Sequence, residues 1–448
     1  MKRVVFLILI MVFVFLFTPF RTMSLAEGTA SDLNFSDDLD LSSNCCYLVS
    51  LDTGRVIYEK NADVRVAPAS TTKIMTAALA LSLVDDPASV IVTLPEDLWV
   101  EFQNIDISHA GLLANEELTL EQLLHCMLLQ SANEAASGIA SYFGREEFIQ
   151  QMNEKAISLG CTNTHFTNPH GLYDSNHYTS AKDLFTITEW AMSIPMFNEI
   201  IEKSYYILAE TNLNYEKTIV TSVLMQDSSS RYFTSYIKGG KTGTLEESGR
   251  CLVSIAEKNN MRLCLVLLGC PLQSSNAVWE DGNSVFTETR LIYDWIFTNV
   301  VVGEAITRDT IVTQIPINYS PKKDTLILYS GEYLMALLRR NSGITPLIDY
   351  ELDIPESIDA PIEKGQKIGT AKVYVDGIYI GDISLVSFED VEFSLFLKLI
   401  SKLGLALKSK PALIIYVSVT SIILLYFLYL FIIVKGAKRR HNRYNQGR

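Results

Sequence analysis

Alternation of apolar and polar residues first becomes regular in CYLVSLDTGRVIYEKN, residues 46–61, on either side of Asp52-Thr53-Gly54. A period of two broken by such a triplet predicts a β-hairpin. From residue 70 to 84 the period lengthens to that of a helix. TLEQLLHCMLLQ carries Thr119 and Gln122 at capping-box spacing ahead of a helical apolar stripe, so Ser131 arrives at a helix end. YFGREEFIQQMNEKAISLG predicts another helix, stopped at Gly160. Between 237 and 270 the pattern returns to strands, with RCLVSIAEKNNMRLCLVLLG turning at Asn259-Asn260, and SVFTETRLIYDWIFTNV then predicts a closing helix. Beyond about residue 303 the chain is mostly strand-like, and AKVYVDGIYIGDISLV turns at Asp376-Gly377, a strong two-residue hairpin signal.

Both ends of the chain differ from this middle. Residues 1–26 combine Lys2 and Arg3, an apolar run and the small residues Ser24-Leu25-Ala26, the pattern of a secretory signal peptide. Residues 27–44 are polar and acidic and predict a flexible lead-in, with folding starting near Cys45. Near the other end, FSLFLKLISKLGLALKSK has the pattern of an amphipathic juxtamembrane segment over about 396–411. A transmembrane helix is expected over 412–434, where Leu413–Val434 is free of charge and about 33 Å long as a helix. The basic tail 435–448 holds six Lys and Arg and no acid, which by the positive-inside bias puts it in the cytoplasm and the preceding domains outside.

The formal charge of −14 therefore hides an asymmetry, because removing the six positive charges of the tail and the three of the leader leaves −23 between them. Such a surface argues against a nucleic-acid partner. The seven cysteines are odd in number and lack metal-site spacing, which predicts small buried residues. The length between the membrane segments exceeds one usual domain. An α+β or α/β domain over 45–300 followed by a smaller all-β domain over 303–395 is the expected architecture.

Candidate chemistry centres on APASTTKIMTA, where Ser70 and Lys73 stand three apart. The spacing alone decides nothing, since it recurs at Ser235/Lys238 and Ser320/Lys323, and a serine before a helix can be a cap. A nucleophile needs a base and oxyanion donors, and a lysine serves as base only when burial or a second cation lowers its pKa. Lys241-Thr242-Gly243, found once in the chain, offers that cation at the start of a strand whose glycine admits a close substrate backbone. Ser131-Ala132-Asn133 stands between them, although Ser42-Ser43-Asn44 and Ser274-Ser275-Asn276 match the same pattern. Ser-x-x-Lys, Ser-Asp-Asn and Lys-Thr-Gly together are the signature of penicillin-binding proteins and class A β-lactamases, and Ser131-Ala132-Asn133 would be the middle element here.

The spacings of 61 and 110 residues and the flanking words NADVRVAPASTTKIMTA, TLEQLLHCMLLQSANEAA, THFTNPHGLYDSNHYTSAKDL and KTGTLEESGRCLV carry a more specific resemblance. They resemble the D-alanyl-D-alanine carboxypeptidases among the low-molecular-mass penicillin-binding proteins, peptidase family S11. The likeness extends over about 44–395 and includes IEKGQKIGTAKVYVDG in the second domain. It implies a serine β-lactamase/transpeptidase-like catalytic domain, a β-rich C-terminal domain and a membrane-attached C-terminus. It also implies roles: Ser70 as nucleophile, Lys73 as base, Ser131 and Asn133 as proton relay and substrate-amide contact, and Lys241 as electrostatic partner. Thr242 would bind the substrate carboxylate, alongside Gly243, and backbone N–H groups of Ser70 and Thr244 would form the oxyanion hole. The expected reaction removes the terminal D-alanine from peptidoglycan pentapeptide stems, with β-lactams as covalent inhibitors and no cofactor. A serine β-lactamase and a non-catalytic wall-binding scaffold are the alternatives.

Two positions depart from the family wording: Glu134 replaces an aspartate after the second motif, and YIKGGKTGT surrounds the third. Arg250 is a candidate carboxylate contact or a solvated strand residue. His165, His170 and His177 lie in a loop ahead of a helix with Ser180 and Asp183 at capping spacing, which predicts a structural role, and no metal is assigned.

Overall fold

The computed structural model describes residues 41–272, 283–339, 347–375, 377–407 and 410–445. The expected leader, most of the lead-in and the last three tail residues lie outside them. Two compact units emerge: one holds the chain up to Gly303 together with Met335–Leu347 and Val375–Ile380, and the other holds the remainder.

The first unit is built on a five-stranded sheet whose strands lie in the order Val56–Lys60, Cys45–Ser50, Met261–Cys270, Gly249–Lys258, Ile237–Leu245. The predicted hairpin is β1 (Cys45–Ser50) with β2 (Val56–Lys60). Short ladders β3 (Ile91–Thr93) with β4 (Glu117–Thr119) and β5 (Tyr205–Leu208) with β6 (Lys217–Val220) flank the helices. β7 (Ile237–Leu245), β8 (Gly249–Lys258) and β9 (Met261–Cys270) complete the sheet, with β7 at its edge. Asn259 and Asn260 turn between β8 and β9 with φ of 55° and 60°, as a two-residue turn with two left-handed positions requires.

The period of two sorts these strands onto two cores. Cys264, Val266 and Leu268 of β9 face one apolar cluster with Cys45, Tyr47 and Val253, while Leu263, Leu265 and Leu267 face a second with Leu48, Leu252 and Tyr293. The run LCLVLLG is continuously apolar for this reason: both faces of the strand are covered. The first cluster is closed by helices α1 (Lys73–Ser82), α2 (Leu120–Leu129), α3 (Asn133–Tyr142), α4 (Arg145–Ser158), α5 (Ala181–Met192) and α6 (Pro195–Ile201). The second is closed by α7 (Ser284–Asn299). All seven cysteines are free and buried among these side chains.

Three expectations change in detail. The helix expected from residue 70 starts as a 3-10 turn over Ala69–Thr72 and becomes α-helical only at Lys73. The helix expected over 142–160 starts three residues later: Tyr142 ends α3, Gly144 takes φ of 85°, and α4 runs from Arg145 to Ser158. A β-carbon-free residue permits that left-handed step, which the apolar period alone does not reveal. The lead-in packs before Cys45, because Leu41 is buried and the buried Glu288 carboxylate accepts from Ser42 Oγ at 2.8 Å and Ser43 N at 3.1 Å. The Thr119–Gln122 capping box forms as predicted, with Gln122 N donating to Thr119 Oγ1 at 3.1 Å and Thr119 N to Gln122 Oε1 at 2.7 Å.

In the second unit, β11 (Ile311–Asn318), β12 (Thr325–Ser330), β14 (Ile348–Asp353), β15 (Ile358–Asp359), β16 (Lys367–Val375) and β17 (Ile378–Ser387) form a sheet in the order β14-β16-β17-β12-β11-β15. β10 (Val300–Ile306) and β13 (Leu334–Arg339) form a separate two-stranded ladder, most of which belongs to the first unit. α8 (Leu395–Leu407) has exposed Leu395, Phe396, Leu399, Ile400 and Leu403. α9 (Lys410–Asn445) contains Leu413–Lys435, the one helix among the described residues that is long and apolar enough to cross a membrane.

Candidate active site

Ser70 lies in the 3-10 turn and is half-buried, while Lys73 is fully buried one turn on. In a 3-10 turn residues i and i+3 eclipse, so Lys73 stands directly over the serine. Its Nζ lies 2.9 Å from Ser70 Oγ, 2.8 Å from Asn133 Oδ1 and 2.6 Å from the His170 carbonyl oxygen. Burial, and then repulsion from Lys241, push the Lys73 pKa well below its ordinary value, against a smaller opposite effect of Glu134. A neutral amine has two N–H bonds and one lone pair. Asn133 Oδ1 and the His170 carbonyl can only accept, so they take the two protons and leave the lone pair for the Ser70 hydroxyl.

The second motif is placed by a strained corner. α2 ends at Leu129, and Ser131 takes φ of 64°, a left-handed conformation unusual for a residue with a side chain. That corner lets α3 begin at Asn133 with its amide fixed: Nδ2 donates to the Ser108 carbonyl at 3.1 Å, which turns Oδ1 toward Lys73. Glu134, the departure noted above, is buried and does not reach the lysines by a hydrogen bond. Its Oε1 accepts from Ala110 N at 2.6 Å and Leu112 N at 3.3 Å, tying that segment to α3.

The third motif lies on β7. Lys241 is buried, and its Nζ donates to Ser131 Oγ at 2.9 Å and to the Thr242 carbonyl at 2.8 Å; burial lowers its pKa to about 7. Thr242 Oγ1 lies 2.6 Å from Ser222 Oγ. Gly243 is a close approach, since a β-carbon there would lie 3.0 Å from Ser70 N and from Ala69 Cβ. Thr244 is exposed, with Arg250 opposite it on β8. The structure thus brings Ser70, Lys73, Ser131, Asn133 and Lys241 into one hydrogen-bonded group, with Gly243 packed on the serine. The rival pairs do not compare: Ser235 and Lys238 are exposed, and Ser320 Oγ accepts from backbone N–H groups while Lys323 pairs with Glu389.

The histidines are structural in their contacts. His177 Nδ1 accepts from Thr167 N at 3.0 Å, so the proton sits on Nε2, 2.8 Å from Thr72 Oγ1, and burial lowers its pKa to about 3. His170 contributes its carbonyl to Lys73, a role no sequence signal reveals because every residue carries that group. Gly171 follows with φ of 92° directly against Ala69, whose own φ is 49°.

Comparison with known proteins places this geometry. Residues 32–271 match the family model described as D-alanyl-D-alanine carboxypeptidase, peptidase S11. The chain belongs to peptidase family S11. Residues 304–393 match the penicillin-binding protein 5 C-terminal domain. Among curated relatives of this family, D-alanyl-D-alanine carboxypeptidase DacF of Bacillus subtilis is 27% identical over 406 residues, 89% of this chain and 97% of that protein. DacC of Escherichia coli is 28% identical over 391 residues, 85% of this chain and 90% of that protein. Of solved structures, penicillin-binding protein 5 from Haemophilus influenzae superimposes with a TM-score of 0.59 at 24% identity, covering 79% of this chain and 98% of that one, a likeness of fold. A Streptomyces K15 DD-transpeptidase mutant gives 0.52 at 25% identity, covering 58% and 99%. The S11 penicillin-binding fold, an α/β catalytic domain followed by an all-β domain, is therefore that of this chain.

Proposed function

We propose that this S11 peptidase hydrolyses the terminal D-alanine from peptidoglycan pentapeptide stems through an acyl-enzyme on Ser70. The observation that carries the residue roles is the three-way contact of Lys73 Nζ, which leaves a neutral amine's lone pair for the Ser70 hydroxyl. Ser70 Oγ attacks the penultimate D-alanine carbonyl and passes its proton to Lys73. The N–H groups of Ser70 and Thr244 stabilise the oxyanion. The leaving amine takes its proton by way of Ser131, which Lys241 orients, and D-alanine departs. Thr242 and Gly243 receive the substrate's terminal carboxylate and backbone, and Asn133 contacts its amide. Water then frees the tetrapeptide.

A β-lactam offers the same nucleophile a strained amide and is a covalent inhibitor in this reading. The helix Leu413–Lys435 anchors the chain as a single span, with the catalytic unit outside the cytoplasm and the basic tail inside. The test is incubation of the protein with a D-alanyl-D-alanine-terminated pentapeptide, with parallel penicillin labelling and peptide mapping. D-alanine release and an adduct on Ser70 are expected. An adduct on Ser235 or Ser320, or penicillin turnover with no D-alanine release, overturns the reading.

A further inference from the structure

Glu101 belongs to none of the three motifs and sits in a short 3-10 turn over Val100–Phe102. Its carboxylate nonetheless joins several elements around the site. Oε1 accepts from Ser137 Oγ and from Arg145 Nη1, and Oε2 accepts from Arg145 Nη2 and from His170 Nε2 at 3.3 Å. Ser137 lies one helical turn after Asn133 on α3. His170 is the residue whose carbonyl takes a proton from Lys73. Its ring is oriented from both sides, since Nδ1 accepts from Leu172 N at 3.2 Å and so leaves the proton on Nε2, facing Glu101. Phe102 meets the same ring edge-on, with centroids 5.4 Å apart.

We propose that Glu101 is a positioning residue for Lys73: one carboxylate holds Ser137 and His170, and thereby fixes the separation of Asn133 Oδ1 and the His170 carbonyl, the two acceptors that aim the amine at Ser70. The inference rests on the reading of Lys73 as the base. Both carboxylate oxygens face donors, from Ser137, from the Arg145 fork and from His170. A glutamine of the same shape must present its NH₂ to some of these donors, and so one arm of the clamp opens. These hydrogen bonds also hold the Glu101 pKa down at about 2, against the effect of its burial, so the clamp is charged at neutral pH.

The experiment uses the full chain in detergent micelles and compares the wild type with Glu101→Gln. The single-turnover rate of acylation by a fluorescent penicillin is read together with its pre-covalent affinity, the pH profile and the melting temperature. Glu101→Gln should slow acylation about 5–50-fold, because sub-ångström misplacement of a catalytic group costs rate steeply. Affinity should stay unchanged. The acid limb of the pH profile should move to lower pH, since loss of the Glu101 charge and looser carbonyl acceptors both disfavour a protonated Lys73 among its neighbours Lys241, Glu134, His170 and His177. The loss should be smaller when Glu101→Gln is made in a Ser137→Ala background, where one arm is already cut. Should Glu101→Gln fail to fold, Ser137→Ala alone decides, with acylation slowed about 3–10-fold at an unchanged melting temperature as the expected result. Wild-type rate and pH profile in a folded variant overturn the proposal. A wild type that is not acylated at Ser70 refutes the base assignment instead, which keeps the two failures apart.

Discussion

Gly171→Ala is the substitution for which the structure works out a magnitude. The residue has φ of 92°, and a β-carbon there would lie 1.9 Å from the Ala69 carbonyl oxygen, 2.5 Å from its carbon and 2.8 Å from Thr72 Oγ1. The first two are backbone atoms and cannot rotate away. Restoring even a 3.0 Å contact from 1.9 Å requires a shift of about 1.1 Å, shared between the His170–Gly171 segment and the turn that carries Ser70. One partner holds the His170 carbonyl on Lys73, and the other adjoins the nucleophile, so the serine and its base are displaced together. Misplacement of about 1 Å in catalytic geometry costs on the order of 10²-fold in rate. The left-handed backbone alone costs an alanine about 1–2 kcal/mol, which in a unit of this size lowers the melting temperature by about 2–8 °C. Single-turnover acylation by fluorescent penicillin reads the first quantity and thermal unfolding the second. An alanine variant that acylates at the wild-type rate and melts within about 1 °C of wild type would show that Gly171 does not set the position of Ser70.

Lys73→Ala should lower acylation about 10²–10⁴-fold while the fold persists, because the base is lost but Ser70 and the backbone donors remain; Lys241→Ala should slow it less, and stopped-flow labelling ranks the two. Lys241 has its pKa lowered from 10.5 to about 7, so between those values the unfolded chain binds a proton that the folded one does not. Stability should therefore rise with pH across that window and level off below it. Thermal melts of wild type and Lys241→Met check this, with the variant showing the shallower rise. Truncation after Lys408 removes Leu413–Lys435 and should yield a water-soluble protein that still releases D-alanine, read by ultracentrifugation and a D-alanine assay. The penicilloyl adduct should outlast the peptide acyl-enzyme, because class A β-lactamases deacylate through a carboxylate between the second and third motifs, and in the corresponding stretch, about 166–240, Asp174 and Asp183 are otherwise engaged. Asp183 accepts from Asn163 N and Thr164 Oγ1, and Asp174 from Asn176 N. Mass spectrometry of the labelled protein over time follows the adduct, and rapid loss would favour β-lactamase chemistry.

What was legible in the sequence is what is encoded locally. The hairpin around Gly54, the capping box at Thr119 and the Asn259-Asn260 turn follow from side-chain period and from the few residue types that tolerate a cap or a left-handed turn. The continuous apolar run of β9 announced burial but not its two-sidedness, which depends on helices contributed from remote parts of the chain. Ser70, Lys73, Ser131, Asn133 and Lys241 stood out as candidates because their order, spacing and flanking words resemble the family signature. Which of three Ser-x-x-Lys pairs is buried beside the second and third motifs was a tertiary decision. Burial lowers the pKa of Lys73, while Lys238 and Lys323 remain at the surface, and no spacing along the chain encodes that difference. The His170 carbonyl, the Glu101 clamp and the packing of Gly171 on Ala69 were likewise invisible, since a backbone oxygen has no sequence signature and residues 69 apart in the chain meet only after folding. Local chemistry specifies which groups are available, and desolvation in the assembled core decides which of the lysines has its pKa lowered.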